Sequence, residues 1–204
     1  MSNMSHEKVS VGYLVRLAVL VAILLLLEIT GLGMIKTPGL EFTIMQVPVI
    51  IGAIVMGPTA GGILGGVFGL ISFWECFGKS AFGVVLLGIN PIGTFLTCVP
   101  TRILMGVCCG LLFQVFSKLD KHKMWSFAAA SLCGALLNTV FFMSVLAAFF
   151  YNTEFIQGLA QGMGTTGLFS FLLAFVGVQG LLEAIICAVA GTAVSKALSS
   201  ALKQ

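Results

Sequence analysis

The residues most able to do chemistry in this sequence lie in one apolar segment, between Asn90 and Arg102. If the segment is a helix, four polar side chains follow one another at intervals of four residues and share one face: Asn90, Thr94, Cys98 and Arg102. A charge within hydrocarbon is unfavourable by at least about 2.5 kcal/mol unless a partner meets it. The stripe therefore predicts either a buried ion pair at Arg102 or a site that binds an anionic ligand.

The composition places this stripe in a membrane protein. Hydrophobic residues make up 59% of the 204 residues and charged residues only 8%, whereas about a quarter of the residues of a soluble domain are charged. We expect one all-α integral membrane domain over residues 1–204, with 1–9 as a cytoplasmic tail. The net charge of +3 comes mostly from flanks and one loop, and no basic patch indicates nucleic-acid binding.

The sequence contains no recognisable catalytic or metal-binding pattern. A Walker A loop, HExxH, GxSxG and paired catalytic carboxylates are all missing from it. The cysteines have no CxxC pair and no neighbouring histidine, and we interpret them as packing residues: Cys76, Cys98, Cys108, Cys109, Cys133 and Cys187. We therefore expect no catalytic residues, no metal, no cofactor and no ATP hydrolysis by this chain.

Apolar runs separated by Gly, Pro and charged residues predict six transmembrane helices in a compact bundle. The helices are expected at 10–29, 43–56, 60–77, 91–116, 125–150 and 169–198. An even number of crossings puts both termini on the same side of the membrane.

The distribution of basic residues predicts the orientation. Most lie on the side of the termini and of the loop between the fourth and fifth helices: Lys8, Arg16, Lys118, Lys121, Lys123, Lys196 and Lys203. Only Lys36 and Lys79 lie on the other side. By the positive-inside rule the termini are cytoplasmic, and the loops at 30–42, 78–89 and 152–167 are external and form a lid.

Counting residues from the helix ends puts several polar side chains at a similar depth. Arg102, Asn138 and Gln179 are near one level, and Glu183 is one turn deeper in the last helix. One interpretation is a binding cavity open to the outside. The alternative is a structural ion pair between Arg102 and Glu183 with amide partners.

Small residues indicate where helices approach closely. Gly61, Gly65 and Gly69 share one face of the third helix, which predicts tight helix packing. Ala18 and Ala22 share a face of the first helix, one turn above Arg16. From spacing alone, this second pattern fits packing within the bundle or contact with another protein.

Without an ATPase motif or clear inverted repeats, the chain is expected to be a subunit of a larger machine. Two other classes remain open. One is a stand-alone secondary carrier that uses Glu28 or Glu183 as a proton site, and the other is a membrane scaffold that binds no small molecule.

Several motifs together resemble the substrate-binding S components of energy-coupling-factor (ECF) vitamin transporters. They occur in order along nearly the whole chain: Ala18-Val-Leu-Val-Ala22, Met45-Gln-Val-Pro-Val-Ile-Ile-Gly-Ala53, Gly57-Pro58-Thr-Ala-Gly61, Asn90-Pro91 and Pro100-Thr-Arg102. The resemblance implies a multi-pass protein of the prokaryotic cell membrane that captures a vitamin with high affinity. It also implies that Ala18 and Ala22 dock on a shared transmembrane coupling subunit, through which two cytoplasmic ATPases drive release.

The overall pattern looks most like the pantothenate-type group, in which a carboxylate ligand would pair with Arg102. Cobalamin, folate and queuosine-precursor types remain alternatives. Trp74 and Glu75 fit an outer wall that contacts the ligand or, equally, an interfacial aromatic belt.

Overall fold

The structure is a computed structural model that describes residues 10–37, 40–119, 124–165 and 167–201. Within these ranges the chain forms eight helices and one two-stranded hairpin. In order, they are α1 (Val11–Thr30), β1 (Met34–Thr37), β2 (Leu40–Thr43), α2 (Gln46–Met56), α3 (Pro58–Glu75), α4 (Ala81–Ile89), α5 (Pro91–Leu119), α6 (Met124–Phe150), α7 (Glu154–Gly162) and α8 (Leu168–Ala201). Helices thus dominate the described residues, as the all-α prediction requires.

The six predicted helices correspond to α1, α2, α3, α5, α6 and α8. Each predicted helix end lies within three residues of the observed one. By length and composition, four helical segments of the described residues are able to cross a membrane: Val11–Thr30, Pro91–Leu119, Trp125–Phe150 and Glu183–Ala201. Gln46–Met56 and Leu168–Gly177 are shorter apolar helices. That all six helices span the bilayer stays a prediction, as does the orientation of the termini.

The segments predicted as loops contain secondary structure, which corrects the sequence analysis. Segment 78–89 contains α4, segment 152–167 contains α7, and segment 30–42 contains most of the hairpin, in which Ile35 pairs with Phe42. Both short helices begin with a hydroxyl cap: Ser80 Oγ accepts from the Gly83 N–H at 3.1 Å, and Thr153 Oγ1 accepts from the Ile156 N–H at 3.4 Å. These caps satisfy backbone donors that a loop would leave to water.

α2 lies at the centre of the bundle. Its residues 46–54 are all buried, and it contacts α1, α3, α5, α6 and α8. Gly57 follows its last residue and has a φ of 95°, which favours glycine. Pro58 then occupies the first turn of α3, where its missing N–H leaves no bond unmade. A buried apolar helix with no polar face is typical of the core of a membrane protein.

α3 and α5 pack with their backbones in contact. A Cβ atom on Gly61 would lie 2.3 Å from the carbonyl oxygen of Gly106, and one on Gly69 would lie 2.8 Å from the Cα of Val99. Only glycine leaves room for this approach, so the tight contact predicted from the glycine spacing is confirmed. We call this contact the α3–α5 seam.

One end of the bundle is covered by short elements. α1, α3 and α6 lead into the hairpin, α4 and α7, respectively, and α2, α5 and α8 follow these short elements. A second cluster of buried apolar residues joins Leu86 of α4 and Ile156 of α7 to Phe150 and Phe171 of the long helices. We call this end the capped end.

Candidate functional site

A cavity of about 600 Å³ lies beneath α4 and α7 at the capped end. Its walls come from α3, α5, α6 and α8, with Thr43 of β2 at one edge. Among the described residues, three charged side chains line it: Glu75, Arg102 and Glu183. Five phenyl rings of the described part of the chain also line it: Phe68, Phe82, Phe142, Phe155 and Phe175. A cavity of this size, mostly apolar with a few convergent polar groups, is typical of a small-molecule site.

Arg102 is the one cationic side chain among the described residues that line this cavity, and it is only 7% exposed. Its Nη1 donates to the carbonyl oxygens of Cys98 at 3.0 Å and of Thr97 at 3.3 Å. Its Cζ lies 4.7 Å from the ring centroid of Phe68 and 5.2 Å from that of Phe142, which favours the cation. Its Nε is buried and has no hydrogen-bond partner in the described part of the chain.

The α3–α5 seam fixes the backbone that carries Arg102. A Cβ on Gly65 would lie 2.2 Å from the carbonyl oxygen of Arg102, so α5 is pressed against α3 at this residue. The side chain then extends from a backbone that has little freedom to move. An unpartnered buried donor is unfavourable by roughly 1–3 kcal/mol, which a ligand acceptor would relieve.

Hydrogen bonds tie Glu183 to the hairpin and to the start of α2, and its charge also interacts with that of Arg102. Its Oε1 accepts from the backbone N–H of Thr43 at 2.8 Å, and its Oε2 accepts from Nε2 of Gln46 at 3.3 Å. Between described residues, the one ion pair within 4 Å joins Lys79 to Glu28, and its hydrogen bond raises the pKa of Lys79. The structure therefore does not show the alternative ion pair between Arg102 and Glu183.

The structure brings five of the predicted binding residues to the cavity: Glu75, Cys98, Arg102, Asn138 and Glu183. Asn138 is buried, and its Oδ1 has no hydrogen-bond partner among the described residues. The side chain of Gln179 lies outside what the structure describes. A role of these residues in binding stays a prediction.

Three other predicted residues do not line the cavity. Asn90 precedes α5, and its Oδ1 accepts from the Gly93 N–H at 2.9 Å, so it acts as a helix cap. Thr94 is buried and donates to the backbone oxygen of Asn90 at 2.9 Å. Trp74 is 68% exposed. The polar stripe from Asn90 to Arg102 is thus divided between helix capping and the cavity wall.

Several lining residues were not predicted from the sequence. On α3 they are Phe68 and Ser72, which are four residues apart and precede the lining residues Glu75 and Cys76. On α6 the unpredicted residue is Phe142, which lies one turn after Asn138. The four-residue spacing was a usable signal for Ser72. For the phenylalanines there was none, because the same spacing suits a ring that faces lipid.

The residues predicted to form a partner interface lie on an open face of α1. Ala18, Ala22 and Arg16 are exposed, while Leu17, Leu20 and Val21 pack towards the core and Leu24 is fully buried. Packing of the alanines within this bundle, which their spacing alone allowed, is not observed.

Within the described ranges, no three histidine, cysteine or acidic side chains lie close enough together to hold a metal ion. The residues that line the cavity offer hydrogen-bonding and charged groups together with aromatic surface. Such an arrangement can bind an anionic, partly apolar solute.

Comparison with known proteins agrees with this chemistry. A sequence model described as "ECF transporter, substrate-specific component" matches residues 12–194. The pantothenate transporter PanT of Leuconostoc mesenteroides is 29% identical over 194 residues, which cover 89% of this chain and 88% of that protein. The pantothenic acid transporter PanT of Lactococcus lactis is 33% identical over 171 residues, 78% of each chain.

Proposed function

Since the chain belongs to the family of ECF transporter substrate-specific components, and is thus a multi-pass membrane subunit for vitamin uptake, we propose that its vitamin is pantothenate. Two relatives that match most of its length carry pantothenate transport in their names. In this proposal the chain captures the vitamin outside the cell and does not catalyse a reaction.

The observation that carries the proposal is the buried guanidinium of Arg102 at the cavity wall, with its Nε unpartnered among the described residues. Pantothenate has a carboxylate at one end, an amide in the middle and a dimethyl-substituted carbon with hydroxyl groups at the other end. A carboxylate accepts two parallel hydrogen bonds from a guanidinium, and Nε with one Nη offers such a pair.

The remaining lining residues suit the other parts of pantothenate. The Oδ1 of Asn138 needs a donor, which a hydroxyl or amide N–H supplies. The phenyl rings of Phe82, Phe155 and Phe175 form apolar surface for the methyl groups. Phe82 and Phe155 belong to α4 and α7, so these two helices act as the lid over the bound vitamin.

In the proposed arrangement α1, α2, α3, α5, α6 and α8 cross the cell membrane, with both termini in the cytoplasm and the capped end outside. The excess of lysine and arginine at the other end supports this orientation. The open face of α1 with Ala18 and Ala22 then faces lipid and docks on the transmembrane coupling subunit. The two ATPase subunits bound to that subunit drive release of the vitamin into the cytoplasm.

Direct binding tests the proposed ligand. The purified chain in lipid nanodiscs is titrated by calorimetry with pantothenate and, separately, with thiamine, riboflavin, biotin, folate and cobalamin. We expect saturable one-to-one binding of pantothenate and no binding of the other vitamins. Binding of a different vitamin, with no heat from pantothenate, would contradict the proposal.

A further inference from the structure

Two thiols meet in the wall of the cavity. Cys76 and Cys98 both line it, each is 5% exposed, and they belong to one buried cluster with Val99. A hydrogen bond joins their side chains, and both cysteines are free thiols. Two thiols in contact, at the surface of a cavity large enough for a small molecule, have the arrangement from which a disulfide forms.

The two cysteines differ in how firmly their backbones are held. Cys98 lies in the α3–α5 seam, where a Cβ on Gly69 would lie 2.9 Å from its carbonyl oxygen. Cys76 follows the last residue of α3, in the turn that leads to α4, and its Sγ donates to the carbonyl oxygen of Ser72 at 3.3 Å. A bond between the two sulfurs would therefore form by adjustment of the turn against a helix that is held in place.

Cys76 also supports the start of α4. A Cβ on Gly83, in the first turn of α4, would lie 2.7 Å from Sγ of Cys76 and 3.1 Å from its Cα, so the backbone of α4 packs directly against this cysteine. Cys98 lies one turn before Arg102, whose Nη1 donates to the carbonyl oxygen of Cys98 at 3.0 Å. A disulfide would thus connect the base of α4 to the cavity wall beside Arg102.

We propose that Cys76 and Cys98 are a reversible oxidation site, at which a disulfide holds α4 over the cavity. The oxidant is a small organic disulfide. One cysteine thiolate attacks it, forms a mixed disulfide and releases one small thiol, and the other cysteine then attacks the mixed disulfide and releases the second. The two electrons lost by the cysteines reduce the S–S bond of the oxidant, and their two protons leave on the two small thiols.

The test uses the full chain in lipid nanodiscs without a ligand, so its result does not depend on which vitamin binds. The protein is incubated with bis(2-hydroxyethyl) disulfide, the remaining thiols are alkylated, and unreduced peptides are mapped by mass spectrometry. We expect a cross-link between Cys76 and Cys98, lighter than the two thiols by about 2 Da and reversed by dithiothreitol. Amide hydrogen exchange across α4 should be several-fold slower in the oxidised protein than in the reduced protein.

Matched variants separate this pair from the other cysteines. Cys98→Ala should form no cross-link at Cys76, and the oxidant should leave its hydrogen exchange across α4 unchanged; Cys76→Ala gives the same test of cross-linking if Cys98→Ala does not fold. Cys108→Ala removes a cysteine of α5 outside the cavity lining and should behave like the unaltered chain.

Three results would overturn the inference. The first is that both thiols are still reduced after treatment with the oxidant. The second is that either of them is joined to a different cysteine. The third is a cross-link between Cys76 and Cys98 that leaves hydrogen exchange across α4 unchanged, since the disulfide would then not hold this helix.

Discussion

The guanidinium of Arg102 has five N–H donors, and the hydrogen bonds it makes to described residues are those of Nη1 to two carbonyl oxygens of its own helix. The phenyl rings of Phe68 and Phe142 stabilise its charge without accepting conventional hydrogen bonds. A side chain kept only for stability would be expected to have its donors satisfied. The remaining donors are therefore available to a ligand, and they favour a planar anion.

Removing this cation should weaken ligand binding without weakening the fold. We expect Arg102→Met to reduce the affinity for pantothenate by about 2 kcal/mol or more, because it removes a charge-assisted pair of hydrogen bonds. Its unfolding temperature should change little, because the apolar side chain replaces a buried ion that forms no ion pair within 4 Å with the carboxylates of the described residues. Calorimetric titration and thermal unfolding of the purified variant measure the two effects.

Two further variants complete this test. Arg102→Lys keeps the charge but loses the planar pair of donors, so its affinity should fall between those of the other two proteins. Arg16→Met removes the exposed arginine of α1 and should bind like the unaltered chain. Unfolding of Arg102→Met with no folded protein left to titrate would instead show a structural role for the cation.

At this scale the sequence predicted the polar residues of the cavity lining better than the apolar ones. Arg102, Asn138 and Glu183 were selected because a polar side chain in an apolar helix stands out and its depth follows from residue counting, and all three line the cavity. Asn90 and Thr94 have the same spacing, but their polar atoms bond the neighbouring backbone. Spacing alone does not distinguish a hydroxyl that faces a cavity from one that bonds its own helix.

Among the elements, α3 and α5 show how a glycine pattern becomes part of a binding site. Gly61, Gly65 and Gly69 bring the two backbones together, and Gly65 meets the carbonyl oxygen of Arg102. The α3–α5 seam thus sets the position of the cation as well as the packing of the bundle.

One methyl group tests this link. In Gly65→Ala the new Cβ would lie 2.2 Å from the oxygen of Arg102, so the helices must separate, and we expect a loss of stability of roughly 1–3 kcal/mol together with weaker pantothenate binding. In Gly66→Ala the Cβ meets only Ile103 side-chain atoms, at 3.6 and 3.8 Å, and the variant should be as stable as the unaltered chain or more so. Chemical denaturation and titration of both variants check this. Equal behaviour of the pair would contradict the role given to the seam.

The long helices were predictable and the short ones were not, for a physical reason. An apolar run of full membrane length has few alternatives to a helix, because its backbone must bond internally. α4 and α7 have nine residues each and contain glycine, so their local preferences are weak. They are stabilised by caps at Ser80 and Thr153 and by apolar contacts with α6 and α8, which sequence periodicity does not report.

For the whole molecule, α1 differs from the other long helices in how little of it is covered. Leu24 is its one fully buried residue, and large apolar side chains such as Val15, Val19 and Leu26 are exposed beside the two alanines. Lipid solvates such a face, and the small alanines make a shallow strip on which another helix can lie. This supports α1 as the docking surface of the proposed transporter.

A bulky residue on this strip should separate capture from transport. In Ala18→Trp we expect unchanged affinity for pantothenate, because the residue is exposed and remote from the cavity lining, but loss of uptake in cells that also produce the coupling subunit and both ATPases. Val189→Trp, at an exposed apolar position of α8, serves as the control and should transport normally. Loss of binding in Ala18→Trp would argue against the proposed division, and so would normal uptake.

The α3–α5 seam also limits which helices can move when the cavity opens to release a ligand. Where two backbones are in contact, no side chain between them can change its rotamer to make room. Sliding of one helix along the other would therefore bring the carbonyl group of Gly106 into collision with Gly61. The two helices are thus expected to travel together as one rigid body. Opening of the cavity is then expected to come from elements outside the seam, chiefly the hairpin, α4 and α7.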